Sequence, residues 1–295
     1  MLRRLLLRLY RLPERRLLPH PADLDLTAQD VELLAADGTR LRGWYVPADP
    51  DAAGTTELAE DGPHPAVIMM HGWASSGGDL LPAAPHVVGA GLPMLLLDAR
   101  GHGRSDAADF MSMPRFAEDV EAAVRWLRSH PDIDPDRIAL VGHSVGAGAC
   151  LLVASRDPRI AAVVSIASMA HPREMIGRTF RRHRAPRWLI RAALRTIERT
   201  IGHRFDDFAP LHTIGRVAAP VLVLHGRDDR TVPPSDAVRL AEAGGSSTTL
   251  RLVSGADHHD LDGFVPVIDE VLAHLRMALS PVRAPAREQP PEPRR

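Results

Sequence analysis

Three kinds of side chain in this sequence have the types and the order that acyl-transfer chemistry needs. Ser144 stands in Gly142-His143-Ser144-Val145-Gly146, a G-x-S-x-G stretch. Asp228 and Asp229 follow in "VLVLHGRDDRTVPP", and His258 and His259 in "LRLVSGADHHDLDGF". An alcohol is a weak nucleophile near neutral pH. It needs an imidazole to take its proton, and the imidazole needs a carboxylate on its far nitrogen to fix the tautomer. Each doublet leaves two candidates for its role. Cys150, the single cysteine, lies just past the serine on an expected buried helix, where a small inert hydrophobe is the natural reading.

Such groups work only if secondary structure delivers them to one place. Apolar runs of strand length occur at 31–35, 41–46, 66–70, 93–97, 138–141, 161–166, 221–224 and 249–253. Asp37-Gly38 supplies a hairpin turn between the first two. From the third onward the runs alternate with helical periods such as 116–127 and 237–243. This pattern predicts an α/β fold: an antiparallel start feeding a doubly wound, mostly parallel eight-stranded sheet, with its chemistry at the carboxyl ends of the strands. Ser144 would then sit in a tight strand-to-helix turn. Flanking glycines leave room there, and the helix start aims backbone N–H groups at developing negative charge. Asp228/Asp229 and His258/His259 each follow another strand.

With those positions in place, the blocks "VIMMHGWASSGGD", "LLLDARGHGRSD", "IDPDRIALVGHSVGA", "PVLVLHGRDDRTVP" and "SGADHHDL" resemble those of α/β-hydrolase-fold serine hydrolases over roughly residues 30–280. The segment "DVELLAADGTRLRGWYVPA" is similar to the BEM46-like branch, with the serine aminopeptidase-like group close by. The resemblance implies Ser144 as nucleophile, Asp229 as acid with Asp228 as fallback, and His258 as base ahead of His259. It also implies an oxyanion hole from the backbone N–H groups of Val145 and Trp73. Asp98, Arg100, His102 and Arg104 resemble a block that is mainly a structural turn in relatives. His71 and His143 are expected to shape their own loops.

Composition removes other chemistries. The 295 residues are 45% hydrophobic and 25% charged, ordinary for a globular chain, and the formal net charge of −1 gives no case for nucleic-acid binding. There is no lysine and no asparagine, so a P-loop, a pyridoxal Schiff base and N-glycosylation are all excluded. The arginine, alanine, proline and glycine bias suits a GC-rich bacterial genome. No histidine or cysteine set has zinc spacing, and the aspartates of "HPDIDPDRI" read as turns and caps. Neither a cofactor nor a metal is expected.

Residues 1–18 place Leu2, Leu5, Leu6, Leu9 and Leu12 on one helical face and Arg4, Arg8, Arg11 and Arg15 on the other. Two readings stand: a helix docked on the body, or one lying on an anionic membrane. The chain is expected in the cytoplasm or peripherally on the inner membrane face. Residues 281–295 read as a disordered tail. Between the sixth and seventh runs, about residues 170–213 form a helical cap insertion, and 173–204 carry ten arginines against Glu174 and Glu198. That cap would attract an anionic substrate end or an anionic membrane. Trp188, Leu189, Ile190, Ala193, Leu194 and Ile197 are its expected apolar lining, with Trp188 and Leu189 foremost as substrate-binding residues. The expectation is a cofactor-free hydrolase of a small-molecule or lipid-like acyl ester or thioester. An amidase or peptidase, a non-catalytic binding module and a membrane-surface interaction protein are the alternatives.

Overall fold

A computed structural model describes residues 19–49, 58 and 62–281. The expected N-terminal helix and nearly all of the expected tail lie outside the described residues. Eight strands form one sheet: β1 (Gln29–Leu34), β2 (Arg40–Val46), β3 (His64–Met70), β4 (Met94–Asp98), β5 (Ile133–His143), β6 (Ile160–Ile166), β7 (Val221–Gly226) and β8 (Thr248–Val253). Their spatial order is β1-β2-β4-β3-β5-β6-β7-β8. The β1–β2 and β2–β4 pairs are antiparallel and the others parallel.

Because successive strand residues face opposite sides, the apolar runs serve two cores at once. Ile68, Met70, Leu95, Leu97, Leu140 and Val163 join one core. It takes in buried residues of α2 (Met113–Ser129), α3 (Val145–Ala154) and α6 (Pro234–Gly244). Val67, Met69, Leu96, Val141 and Val164 join the other, with α1 (Ala84–Val88) and α7 (Ile268–Leu279). Burying a leucine-sized side chain on either face stabilises the fold by roughly 1.5–3 kcal/mol. Two helices, α4 (Pro172–Arg182) and α5 (Arg187–Ile201), and the short turns Phe205–Phe208 and Pro210–Thr213 lie between β6 and β7.

One local expectation is corrected. "HPDIDPDRI" is expected to form turns and caps; Pro131 and Asp132 do form a turn, but β5 already begins at Ile133, which pairs with His64. The ladder shifts register between His64 and Ala66, and that irregularity accommodates Pro135, which has no N–H to offer. Asp136 donates its N–H to Asp134 Oδ1 at 3.0 Å and takes an ion pair from Arg159 at 2.6 Å, so these aspartates have structural partners.

Candidate active site

Where β5 ends and α3 begins, Ser144 adopts φ 54° and ψ −118°, a conformation that costs a residue with a Cβ on the order of 1–3 kcal/mol. The surroundings enforce it. Ser144 donates its N–H to Ile166 O on β6 at 2.8 Å. A Cβ at Gly142 would lie 2.6 Å from Ala147 N, and one at Gly146 would lie 2.4 Å from His71 O. Both contacts are with backbone, so the sharp turn requires glycine on either side of the serine.

The turn aims Ser144 Oγ at His258. Nε2 of His258 lies 3.0 Å from Ser144 Oγ, and its Nδ1 lies 2.8 Å from Asp229 Oδ2. An ionised carboxylate only accepts, so Nδ1–H donates to Asp229 and Nε2 is left to accept the serine hydroxyl. Ser144, Asp229 and His258 are all buried. Asp229 is held from several sides: Oδ1 accepts the N–H groups of Thr231 and Val232, each at 2.8 Å, and Oδ2 lies 3.1 Å from His225 Nε2. Burial alone would raise the Asp229 pKa. The hydrogen bonds from His225, His258 and Val232 outweigh it and hold the carboxyl well below the usual carboxylate range.

The doublets are separated by direction. Asp228 turns away and accepts the Gly255 N–H at 2.8 Å, tying the loop after β7 to the loop after β8. His259 is exposed and meets His258 only ring edge to face, at 5.0 Å between centroids.

Gly72 brings the other wall of the site close. A Cβ there would lie 3.2 Å from Ser144 Cβ and 2.8 Å from His143 Nδ1, so the Gly72-Trp73 segment runs alongside the serine. Val145 heads α3, where an N–H has no acceptor within its own helix. Histidines fix this wall. His71 accepts the Ala99 N–H on Nε2 and donates from Nδ1 to Gly72 O at 2.7 Å. His102 accepts the Ala74 N–H at 3.2 Å and donates to Arg100 O at 2.9 Å. His143 donates from Nε2 to the backbone oxygen of His258 at 2.9 Å. Burial keeps all three neutral, pulling the pKa of His102 and of His143 down to about 3.

In the Asp98–Arg104 block, Asp98 accepts the Gly77 N–H at 2.7 Å and the Arg104 N–H at 3.0 Å. Arg100, fully buried, pairs with Asp119 at 2.7 Å. These contacts hold loops together around the site.

Trp188 and Leu189, expected to bind substrate, do not line the cleft beside Asp229. Ile190, Ala193 and Leu194 of α5 are buried, and Ile190 and Leu194 join the core cluster. The apolar stripe therefore docks the helix on the body. Trp188, on the opposite face at 100° per residue, is 67% exposed, and Leu189 is only half-buried at the stripe's edge. A cleft of about 290 Å³ beside Asp229 is lined instead by α4 and the loop after β7, through Met175, Arg178, Thr179, Arg182, Arg230 and Pro233 among others.

His225 was not singled out in the sequence. It sits at the buried end of β7, four residues before Asp229, with Nε2 in reach of both Asp229 Oδ2 and Val232 O, the latter at 3.0 Å. A histidine in an otherwise aliphatic strand was the available signal. Among the described residues, His171, Asp206 and His212 form one cluster with the spacing of metal ligands. His171 Nδ1 accepts the Arg173 N–H that starts α4, so Nε2 carries the proton it gives to Asp206 at 3.1 Å. Arg204 also lies 3.9 Å from Asp206. A cation there would have to break the helix cap and displace that proton.

A strand, a strained serine turn, a helix, and an acid and a histidine on later strand ends form a recognisable set. The chain belongs to the α/β-hydrolase-fold serine hydrolases. Residues 61–206 match the family described as serine aminopeptidase, S33. The protein Rv2307c of Mycobacterium tuberculosis is 30% identical over 262 residues, spanning 88% of this chain and 83% of its own length. Among solved structures, the Pyrococcus furiosus esterase Pf2001 superimposes with a TM-score of 0.70 at 21% identity, covering 92% of this chain and 97% of that one. A puromycin-hydrolyzing peptidase of Mycobacterium tuberculosis gives 0.66 at 21% identity, over 88% of this chain and 40% of that one. At such identities the last two likenesses concern the fold. Among the described residues no helix is long and apolar enough to cross a membrane.

Proposed function

We propose that the protein cleaves an acyl ester or thioester through an acyl-enzyme intermediate on Ser144. The observation that carries this reading is the continuous relay from Ser144 Oγ through His258 to Asp229, buried and aligned at 3.0 and 2.8 Å. Ser144 Oγ attacks the acyl carbon while His258 Nε2 takes its proton. The carbonyl oxygen becomes an oxyanion received by the N–H groups of Val145 and Trp73, each donor being worth about 3 kcal/mol in the transition state. Collapse breaks the bond to the leaving alcohol or thiol, which takes the proton from His258. A water then gives a proton to His258, attacks the acyl carbon and releases the acid, and the proton returns to Ser144 Oγ. Asp229 stays ionised throughout, and His225 acts as a positioning residue through its contact with Oδ2.

The same constellation can attack an amide. The serine aminopeptidase family match and the puromycin-hydrolyzing neighbour support that second reading. The deciding experiment compares p-nitrophenyl acetate, butyrate and octanoate with aminoacyl p-nitroanilides. The ester reading expects kcat/KM to favour esters and to rise toward the medium chains. Turnover confined to the anilides would replace it with a peptidase, and no gain beyond acetate would remove the lipid-like acyl group.

A further inference from the structure

The outward face of α5 carries a pattern that the proposed hydrolysis does not use. Trp188, Arg191, Arg195 and Arg199 stand at i, i+3, i+7 and i+11 and so share one side of the helix. All four are exposed, the tryptophan by 67%. Arg187, at the start of the same helix, is exposed as well.

Of the other cap arginines, Arg173, Arg178 and Arg204 have acidic partners, and Arg181, Arg182 and Arg184 form no ion pair with any described residue. Arg173 pairs with Glu198 at 2.6 Å and Arg178 with Asp236 at 3.0 Å, and Arg239 of the body pairs with Glu174 at 2.8 Å. Those contacts engage both glutamates of the cap. Arg187, Arg191, Arg195 and Arg199 form no ion pair with any described residue. The net charge near zero therefore conceals a local positive face. Three unneutralised guanidinium groups, those of Arg191, Arg195 and Arg199, lie with the large, exposed Trp188 ring opposite the stripe that anchors the helix, and Arg187 flanks them at the helix start.

We propose that this face docks the protein on an anionic lipid surface. Guanidinium groups meet the lipid phosphates, and Trp188 enters the headgroup layer, where an amphipathic aromatic ring is most stable. Charge complementarity and the exposed indole favour lipid over an acidic protein, which would supply carboxylates but no apolar layer for Trp188. The amphipathic Arg/Leu pattern of residues 1–18 supplies a second element of the same chemistry. A single weak anchor gains much from a second one. The cleft beside Asp229 is lined by α4, the helix before α5, so docking would bring the cap that borders the proposed site to the source of a lipid-like acyl group.

The test uses the full chain in co-sedimentation with vesicles of phosphatidylcholine alone or with 30% phosphatidylglycerol. Each arginine near an anionic surface contributes about fivefold in partitioning. Arg191→Gln/Arg195→Gln should therefore lower binding to the anionic vesicles by about 25-fold, and Trp188→Ala should lower it severalfold. Wild-type tryptophan emission should shift to the blue on those vesicles, and the shift should be lost in Trp188→Phe. Circular dichroism melts of the variants should match wild type, because the substituted side chains are exposed. Equal binding to both vesicle types, no binding by wild type, or binding unchanged in the double variant would each overturn the proposal. The last result would assign membrane contact to residues 1–18 alone.

Discussion

His143 couples the serine turn to the loop that carries the base, and its protonation should set part of the acid stability of the fold. The ring is buried and donates from Nε2 to the His258 backbone oxygen at 2.9 Å. Burial, reinforced by the nearby His258 charge, lowers its pKa from 6.5 to about 3. The folded protein therefore keeps His143 neutral at pH values where the unfolded chain has already protonated it. Between pH 6.5 and about 3 the unfolded state binds the extra proton, so the stability present above pH 6.5 is lost as pH falls, by up to about 1.4 kcal/mol per unit. From pH 7 to pH 5 this sums to about 2 kcal/mol for the one histidine. His143→Phe removes that titration and leaves a pH-independent cost of about 1 kcal/mol for the lost hydrogen bond. Urea unfolding at both pH values should therefore show wild type losing about 2 kcal/mol more than the variant. Equal losses would refute the reasoning, because His143 would then titrate alike in the folded and unfolded states.

Asp229→Asn should lower kcat by about 10⁴-fold through loss of the charge that fixes the imidazole tautomer, while Asp228→Asn keeps kcat within about threefold. His225→Phe removes one hydrogen bond to a charged group, worth roughly 1.5–3 kcal/mol, and steady-state kinetics should show kcat falling about tenfold or more with KM little changed. Gly146→Ala places a methyl 2.4 Å from the His71 oxygen and should deplete folded, soluble protein, read as a lost or sharply lowered thermal transition.

The sheet and the serine turn were legible because their causes are local. Aliphatic runs of strand length, a G-x-S-x-G between strand and small-residue helix, and an Asp-Gly hairpin each follow from neighbouring residues. Partner choice within the doublets was less so. Asp228 and Asp229 differ by one position, and only the backbone path of the loop sends one to Gly255 and the other to His258. His225 was hidden because a histidine within a strand shows its partner only after β7 and the following loop fold together. Trp188 was read as cap lining for a simpler reason: an aromatic beside leucine and isoleucine reads as part of one apolar face, yet its angular position on α5 sets it opposite the buried stripe. Pro135 of "HPDIDPDRI" hid the first residues of β5, where a shifted register tolerates it.

Reaction with a fluorophosphonate probe, comparing wild type with Ser144→Ala alongside p-nitrophenyl butyrate turnover, tests the central claim most directly. The account predicts stoichiometric labelling on Ser144 and measurable turnover in wild type, with both absent from a variant that melts like wild type. Labelling at another residue, turnover that survives in Ser144→Ala, or folded wild type inert to both reagents would contradict it.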